Sequence, residues 1–312
     1  MDIASILERW MFNKNNPVDT YLLEMIQLVF GNFCYDDFVT AFTSRLKEID
    51  YPFTESEKVS GSGCFYGGMI TSILHFGYVK NIEGLFTFSL CYMLVDNFLD
   101  NKDISEESKT ETMRDVFNFI TGKPYTENPL IKVVKDRYLA MISETPKAQH
   151  HIVKLFKSEY QGHRLKDGTR GKYLEIAEEK GGLTTVVISA VLGLDSEKDL
   201  RESMKLGACI QLVDDFMDLK DDISLNIMTV ARHDIQNFSC LDSYVTYTLQ
   251  KISDLDQIYN TFRPLLIFGL LLGIKEYPDC VSLELQKVVE PYFIFTTNKE
   301  SIITWFYQGM FR

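Results

Sequence analysis

Five aspartates lie within twelve residues in the stretch QLVDDFMDLKDD, 211–222. Successive residues of a helix point about 100° apart, so Asp214, Asp218 and Asp222 fall within one arc of about 80°. Gln211 lies inside that arc, and most of the remaining circumference is apolar. Burying an unpaired carboxylate is costly, so a stripe of acids on a helix otherwise suited to burial predicts a positively charged ligand.

A second acid pair closes the apolar stretch YMLVDNFLD, where Asp96 and Asp100 are again four residues apart. Asp103 continues the same face by one turn if the helix extends so far. A lone pair of acids near a helix end usually serves only solubility. Two such pairs, each at the end of a strongly apolar helix, favour a ligand-binding role.

The chemistry that suits two acid stripes is metal binding. Buried carboxylates repel each other and have raised pKa values unless cations lie between them. Oxygen ligands without His or Cys suit Mg²⁺, which typically takes one or two carboxylates together with phosphate oxygens. The pattern therefore predicts metal ions that bridge two helices to a diphosphate. Asp215 and Asp221 lie outside the stripe, and we expect them to contact the metal ligands or to be solvated.

The elements that must position these acids are helices. The chain has 312 residues, is 46% hydrophobic and has only eight prolines, which predicts one all-α domain spanning 1–312 with roughly ten or more helices. Helical patterns lie near 19–30, 36–48, 66–78, 84–100, 110–121, 130–142, 147–164, 173–193, 198–220, 241–253 and 256–274. We expect breaks at SGSG (60–63), 121–129, 166–171 and near Asp195.

Composition narrows the classes of function. The formal net charge of −12 and the lack of a basic run argue against nucleic acid as a partner. The six cysteines form no CxxC motif and read as reduced core thiols. The longest apolar run, 264–274, is about half of what a membrane span needs, and the N-terminal sequence does not resemble a signal peptide. These features predict a soluble cytoplasmic protein without a transmembrane segment.

Both acid motifs resemble those of the class I isoprenoid diphosphate synthase superfamily, which includes trans-prenyltransferases and class I terpene cyclases. DNFLD (96–100) is similar to the first motif, DDxxD, with Asn97 in place of the second aspartate. GACIQLVDDFMD (207–218) resembles the second motif of trans-prenyltransferases, GxxxQxxDDxxD, and is the most specific match. The spacing of the stripe is also similar to the three metal ligands of the cyclase motif NDxxSxxxE.

Two further segments are similar to family elements. EKGGL (179–183) resembles the KTxxL element, in which a lysine, here Lys180, meets the diphosphate at a helix break. DDISLNIMT (221–229) is similar to DIxxGKxT, with Asn226 and Ile227 in place of Gly and Lys. The resemblance covers roughly 60–230 of the chain.

The resemblance implies a helical bundle of isoprenoid synthase type around a central cavity, an isoprenyl diphosphate substrate and a homodimer. It implies about three Mg²⁺ ions, held by Asp96, Asp100, Asp214, Asp218 and Asp222. The resemblance also implies three catalytic residues, Lys180, Gln211 and Arg170. Arg170 is included because it lies 44 residues before Asp214, near where cyclases place a diphosphate-sensing arginine. Arg164 is the alternative, and both could equally be solvated loop residues.

The hydrocarbon part of such a substrate needs an apolar, aromatic pocket. Phe88 and Tyr92 precede Asp96 by two turns and one turn on roughly the same helix face, so they could form the pocket floor, with Lys180 and Gln211 as further substrate contacts. Their π faces could stabilise positive charge. Aromatic residues at helical spacing are equally typical of a core.

The sequence departs from the elongating members of the family at the cradle for a second diphosphate. A GGKRxRP element is replaced by SGSGCFYGGM (60–69), and an Arg-Arg pair is replaced by KDISEESKTE (102–111). Lys58, Lys80 and Arg114 could in principle substitute. The departure favours a class I terpene synthase, in which Mg²⁺-dependent ionisation of an allylic diphosphate gives a carbocation that is cyclised or quenched.

Two alternatives stay open. Gln211 and the double aspartate favour a trans-isoprenyl diphosphate synthase, a head-to-tail prenyltransferase of geranylgeranyl or farnesyl type. The other is a non-catalytic regulatory subunit of a prenyltransferase. Such a subunit has no reason to keep both acid pairs.

Overall fold

The computed structural model describes residues 2–13, 16–17, 35–165, 167–256, 259 and 262–292. Over these residues the fold is helical, apart from a two-residue antiparallel pairing of Phe12–Asn13 with Asn16–Pro17. The predicted all-α class is confirmed. The described helices are α1 Ile3–Met11, α2 Tyr35–Leu46, α3 Glu55–Phe76, α4 Ile82–Asp100, α5 Glu106–Ile120, α6 Pro129–Glu144, α7 Pro146–Arg164, α8 Arg170–Val191, α9 Glu197–Met217, α10 Leu219–Leu225, α11 Val230–Phe238, α12 Asp242–Ser253, α13 Phe262–Glu276 and α14 Leu283–Val289.

Contacts between residues group the chain into two compact units. Of the described residues, 35–165 and 183–201 form the α4 unit, and the α9 unit comprises 2–13, 16–17, 167–182, 202–256, 259 and 262–292. That the whole chain is one domain remains a prediction.

Helix α4 is the core of its unit. It is apolar nearly all round, packs against α3, α6 and α7, and buries residues such as Phe86, Leu90 and Met93 completely. By length and composition α4 could cross a membrane, but 67% of its most apolar stretch is buried inside the protein, as in the core helix of a soluble fold. The predicted buried helix at 84–100 is therefore confirmed.

The break predicted at SGSG (60–63) is wrong. Helix α3 runs through it without interruption from Glu55 to Phe76. Its start is fixed by a capping box in which Thr54 and Glu57 bond each other's backbone N–H, and its end by Gly77 in the left-handed conformation. A Cβ on Gly61 would lie 2.5 Å from the Phe42 ring, so this glycine permits close packing and marks no turn.

The other three breaks are confirmed, at 121–129, between Arg164 and Arg170, and near Asp195. Helices α1, α11 and α14 are absent from the sequence-based prediction. The helix predicted near 19–30 lies outside the described residues. All five described cysteines are free, as expected: Cys64, Cys91, Cys209, Cys240 and Cys280.

Candidate functional site

The acid stripe of the α9 unit lies at the junction between α9 and α10. A single helix over 198–220 was predicted, but the helix is interrupted at Asp218, so this prediction is wrong in detail. The Asp218 N–H nevertheless donates to the Asp214 carbonyl at 2.9 Å, and the Asp222 N–H to the Asp218 carbonyl at 2.8 Å. These bonds keep the three aspartates one helical turn apart, so the stripe survives the interruption.

Residues of α13 and the chain just after it support this junction. The Tyr277 hydroxyl donates to the Met217 carbonyl at 3.1 Å and accepts from the Lys220 N–H at 3.4 Å. The Phe216 ring packs on Gly273, where a Cβ would lie 2.9 Å from the ring. Tyr277 thus satisfies backbone groups that an interrupted helix leaves without partners. Nothing in the sequence pattern pointed to it.

The carboxylates of the junction are poorly suited to carry charge together. Burial, with the repulsion of neighbouring carboxylates, raises the pKa of Asp218 to about 7 and that of Asp222 to about 8. The same two causes raise the pKa of Asp214 well above its usual value. Burial alone raises the pKa of Asp215 to about 6. A cation placed here would relieve this repulsion.

Lys180 is a cation that acts on this group. Its ammonium group partly offsets the raised pKa values of Asp214, Asp215 and Asp222. It lies half-buried on α8. The structure therefore brings the predicted lysine together with the predicted acids of the α9 unit.

The helix break expected at Gly181 and Gly182 is not there, because α8 continues from Arg170 to Val191. Instead the two glycines face α9. A Cβ on Gly182 would lie 2.5 Å from the Met204 sulfur atom. Because glycine has no Cβ, the two residues let α8 and α9 approach closely, and this close packing accounts for the Gly-Gly pair without a bend in α8.

Gln211 contacts an acid outside the predicted stripe. Its Nε2 donates to Asp215 Oδ1 at 2.8 Å, and Asp215 is only 5% exposed. A solvated Asp215, one of the two expected possibilities, is therefore wrong. Asp221, by contrast, is exposed.

Asp222 has one carboxylate oxygen in use and one without a partner. The Thr229 side chain hydrogen bonds with the carboxylate and lowers its pKa. Oδ2 is buried and makes no hydrogen bond within the described part of the chain. A buried oxygen in this state is satisfied by a metal ion or a water molecule.

The two arginines differ in their surroundings. Arg170 Nε donates to both carboxylate oxygens of Asp234, at 2.8 and 2.9 Å, and Asp234 is only 1% exposed. Arg164, in the α4 unit, is exposed and donates to the Tyr160 hydroxyl at 3.3 Å. Arg170 is thus held in an ion pair with a buried acid.

The other acid pair lies at the end of α4. Asp96 is half-buried, and Asp100 is the exposed last residue of the helix. Asp103 falls beyond the helix end, so it does not extend the acid face as expected. The Asn97 amide, at the position of the second aspartate in the family motif, donates to the Met93 carbonyl at 2.9 Å.

A polar cavity of about 330 Å³ lies in the α4 unit beside Asp100. It is built from the segment before and at the start of α3, the end of α4 and the loop after it, and none of its ten lining residues is Lys, Arg or His. The lining residues are Tyr51, Thr54, Glu57, Leu94, Asn97, Phe98, Asp100, Asn101, Ile104 and Leu130. Two of its polar lining groups, from Glu57 and Asp100, are carboxylates, and the absence of a cation from this lining disfavours an anion.

The cations that could have substituted have other positions. Lys58 pairs with Glu55 at 2.6 Å, and Lys80 lies over the Phe76 ring at 4.5 Å, before the start of α4. Arg114 is exposed on α5. None of the three lines the polar cavity.

The predicted aromatic floor is part of the α4 core. Phe88 is completely buried, Tyr92 is half-buried, and their ring centroids are 6.1 Å apart. The polar cavity is lined by another part of the helix, including Leu94 and Phe98. Whether either aromatic ring contacts a substrate remains a prediction.

Within the described ranges, no group of three or more Asp, Glu, His or Cys side chains is arranged to hold a metal ion. The oxygen-only set at the α9–α10 junction still fits Mg²⁺ chemically, because its acids are mutually repelling and Asp222 has a buried oxygen without a partner. No family model, curated protein or solved structure matches the chain.

Proposed function

We propose that the protein is a class I terpene synthase, which ionises an allylic isoprenyl diphosphate with Mg²⁺ and cyclises or quenches the carbocation. The observation that carries the proposal is the α9–α10 junction. There a row of mutually repelling acids with raised pKa values lies near one lysine. Acids that repel each other when ionised are stabilised by a cation bound between them.

Asp214, Asp218 and Asp222 would hold Mg²⁺ at the junction. The sequence resemblance adds Asp96 and Asp100 as further ligands. When bound, Mg²⁺ draws negative charge from the diphosphate oxygens as the allylic C–O bond breaks.

The remaining residues bind and orient the leaving group. Lys180 supplies a fixed positive charge for the diphosphate, and its charge already acts on the acids of the junction. The Gln211 amide is oriented by its bond to Asp215. Arg170 is a less direct candidate, because Asp234 engages its Nε. Phe88 and Tyr92 would present ring faces to the carbocation, each worth about 0.5–2 kcal/mol.

The polar cavity of the α4 unit supports a terpene synthase over an elongating enzyme. Elongation needs cations for the diphosphate of a second substrate, expected from segments about 40 residues before the first motif and shortly after it. Tyr51, Thr54 and Glu57, which precede the segment 60–69, line the cavity together with Asn101 and Ile104, which follow the first motif. Glu57 is buried, and Asp100 lines the cavity beside these residues. A second diphosphate would meet carboxylates there and would be repelled.

A direct product assay separates the two enzymes. Purified protein is incubated with Mg²⁺ and geranyl or farnesyl diphosphate, with and without radiolabelled isopentenyl diphosphate. Unlabelled, hexane-extractable hydrocarbon or alcohol supports the terpene synthase. Labelled, longer diphosphates support a prenyltransferase, which is the alternative favoured by Gln211 and the adjacent aspartates Asp214 and Asp215. No release of pyrophosphate in either mixture would contradict both.

A binding assay addresses the non-catalytic alternative. We expect Mg²⁺ with pyrophosphate to raise the melting temperature of the wild type, and Asp214→Ala and Asp96→Ala to lose this response. Asp221→Ala is the matched control, because Asp221 belongs to the same acid-rich stretch but is exposed. If all variants respond like the wild type, the acids have no part in ligand binding.

A further inference from the structure

Arg232, on α11, is a buried arginine that binds the chain segment following Asp222. Its Nη1 donates to the Ile227 carbonyl at 2.8 Å and to the Asp222 carbonyl at 3.2 Å. Its Nη2 donates to Asn226 Oδ1 at 2.6 Å. The side chain is only 8% exposed. One guanidinium group therefore ties three points of a six-residue segment together.

That segment has a shape that needs such support. Helix α10 ends at Asn226, which adopts a left-handed conformation with φ of 59°. The Ile227 N–H returns to the Asp222 carbonyl at 2.9 Å, and this same carbonyl accepts from Arg232. Helix α10 has only seven residues, so it has little stability of its own. The bonds from Arg232 hold the C-terminal end of α10, which carries Asp222.

Helix α11 is itself well anchored. Thr229 caps its first turn by accepting from the Arg232 N–H at 3.3 Å. The Thr229 side chain also hydrogen bonds with the Asp222 carboxylate. Two residues after Arg232, the buried Asp234 is paired with Arg170 of α8. The position of Arg232 is therefore fixed by contacts of the residues before and after it in α11.

We infer that Arg232 is a positioning residue for Asp222, and that it fixes the main chain of Asp222 so that the carboxylate oxygen Oδ2 is left for a metal ion. Arg232 bonds the Asp222 carbonyl and not its carboxylate, and Oδ2 is buried without a hydrogen-bond partner in the described chain. The inference rests on the proposed function. Residues that orient metal ligands typically change metal affinity 10- to 100-fold when they are replaced.

The test is an Mg²⁺ titration in the presence of pyrophosphate, in which calorimetry measures the binding affinity. Arg232→Lys keeps the charge, but a single ammonium group cannot reach three acceptors. We expect about 10- to 100-fold weaker Mg²⁺ binding. Arg263→Lys is the matched control, because Arg263 is also buried and also binds backbone carbonyls. It donates to the Ile252 carbonyl at 3.1 Å and to the Leu255 carbonyl just after α12. We expect this variant to lose stability but to keep wild-type Mg²⁺ affinity.

A second variant serves if Arg232→Lys fails to fold. Asn226→Gly removes one acceptor of Arg232 while suiting the positive φ, and we expect a several-fold weaker Mg²⁺ affinity. Hydrogen exchange of the backbone amides of 223–228 should be faster in either variant.

The outcomes separate cleanly. Unchanged Mg²⁺ affinity in Arg232→Lys overturns the inference. If that variant does not fold, unchanged affinity in Asn226→Gly overturns it. An equal loss of Mg²⁺ affinity in Arg263→Lys also overturns it, because it would indicate that Arg232 has a merely structural role. If the wild type itself shows no response to Mg²⁺ and pyrophosphate, the proposed function fails first and the inference falls with it.

Discussion

Gly181 of α8 and Gly207 of α9 lie backbone against backbone, so that a Cβ added to Gly181 would stand 2.3 Å from the Gly207 carbonyl oxygen. This approach places Lys180, the preceding residue, beside the acids of α9. We expect Gly181→Ala to destabilise the protein by about 1–3 kcal/mol, because backbone atoms cannot give way as a flexible side chain can. Urea denaturation measures the loss.

Gly67→Ala is the control for this prediction. Gly67 lies inside α3, and a Cβ there would meet nothing within 4 Å. The better helix propensity of alanine should stabilise the protein by about 1 kcal/mol. Equal effects of the two substitutions would show that the contact with Gly207 has no energetic weight.

Stability of the metal-free protein should fall as pH rises from about 4 to about 8. The pKa values of Asp215, Asp218 and Asp222 are raised in the folded state to about 6, 7 and 8 from the usual 3.8. The folded state therefore binds protons more tightly than the unfolded chain. This contribution is fully present below about pH 4 and is lost as pH rises through the folded pKa values.

Thermal melts in the presence of a chelator, at pH 5.5, 7 and 8.5, measure this fall. Asp222→Asn removes the carboxyl whose pKa is raised to about 8, so the melting temperature of this variant should decline less between pH 7 and 8.5. A wild-type melting temperature that is constant over the range, or that rises, would contradict the prediction.

Two buried tyrosines should respond in opposite ways to the loss of a hydroxyl group. Tyr138 lines a small apolar cavity of about 20 Å³, and its hydroxyl is buried without a hydrogen-bond partner within the described chain. The Tyr244 hydroxyl is also buried but donates to the Leu212 carbonyl. Tyr138→Phe should stabilise the protein by about 1 kcal/mol, whereas Tyr244→Phe should cost about 1–3 kcal/mol. Denaturant titration distinguishes them, and destabilisation by Tyr138→Phe would reveal a partner such as water.

The ion pair of Arg170 with Asp234 should be important for folding. Arg170→Met would deprive a carboxylate that is 1% exposed of its arginine and leave His233 Nδ1 beside it at 3.4 Å, at a cost of about 3–5 kcal/mol. Arg164→Met, at an exposed position, should change stability by no more than about 0.5 kcal/mol. Calorimetric unfolding measures both. If Arg170→Met left the stability unchanged, Arg170 would have no role in folding, and its role would be ligand binding alone.

The helices were largely predictable because their apolar periodicity is strong. Helix α4 is apolar nearly all round and α6 starts with Asn128 as its cap, and both sit where the pattern placed them. The glycines misled the prediction. A glycine that permits close helix packing, as Gly61 and Gly181 do, has the same sequence signal as a glycine that ends a helix.

The acids of the α9 unit were predictable from their spacing, but their partners were not. The bonds from Arg232 and Tyr277 depend on chain segments that return from 10 and 60 residues away. No periodicity encodes such contacts. The bond between Gln211 and Asp215 spans one helical turn, and attention to that spacing could have identified it.

Glu57 has two duties, since it completes the cap of α3 and lines the polar cavity. A cation installed at this position would also remove the bond from the Thr54 N–H to the Glu57 carboxylate, which would weaken the start of α3. Any route by which selection or design gave this protein a second diphosphate site there would pass through less stable variants. Ile104 lines the same cavity from a loop and caps no helix. A cation introduced at Ile104 would therefore cost less stability than one at Glu57.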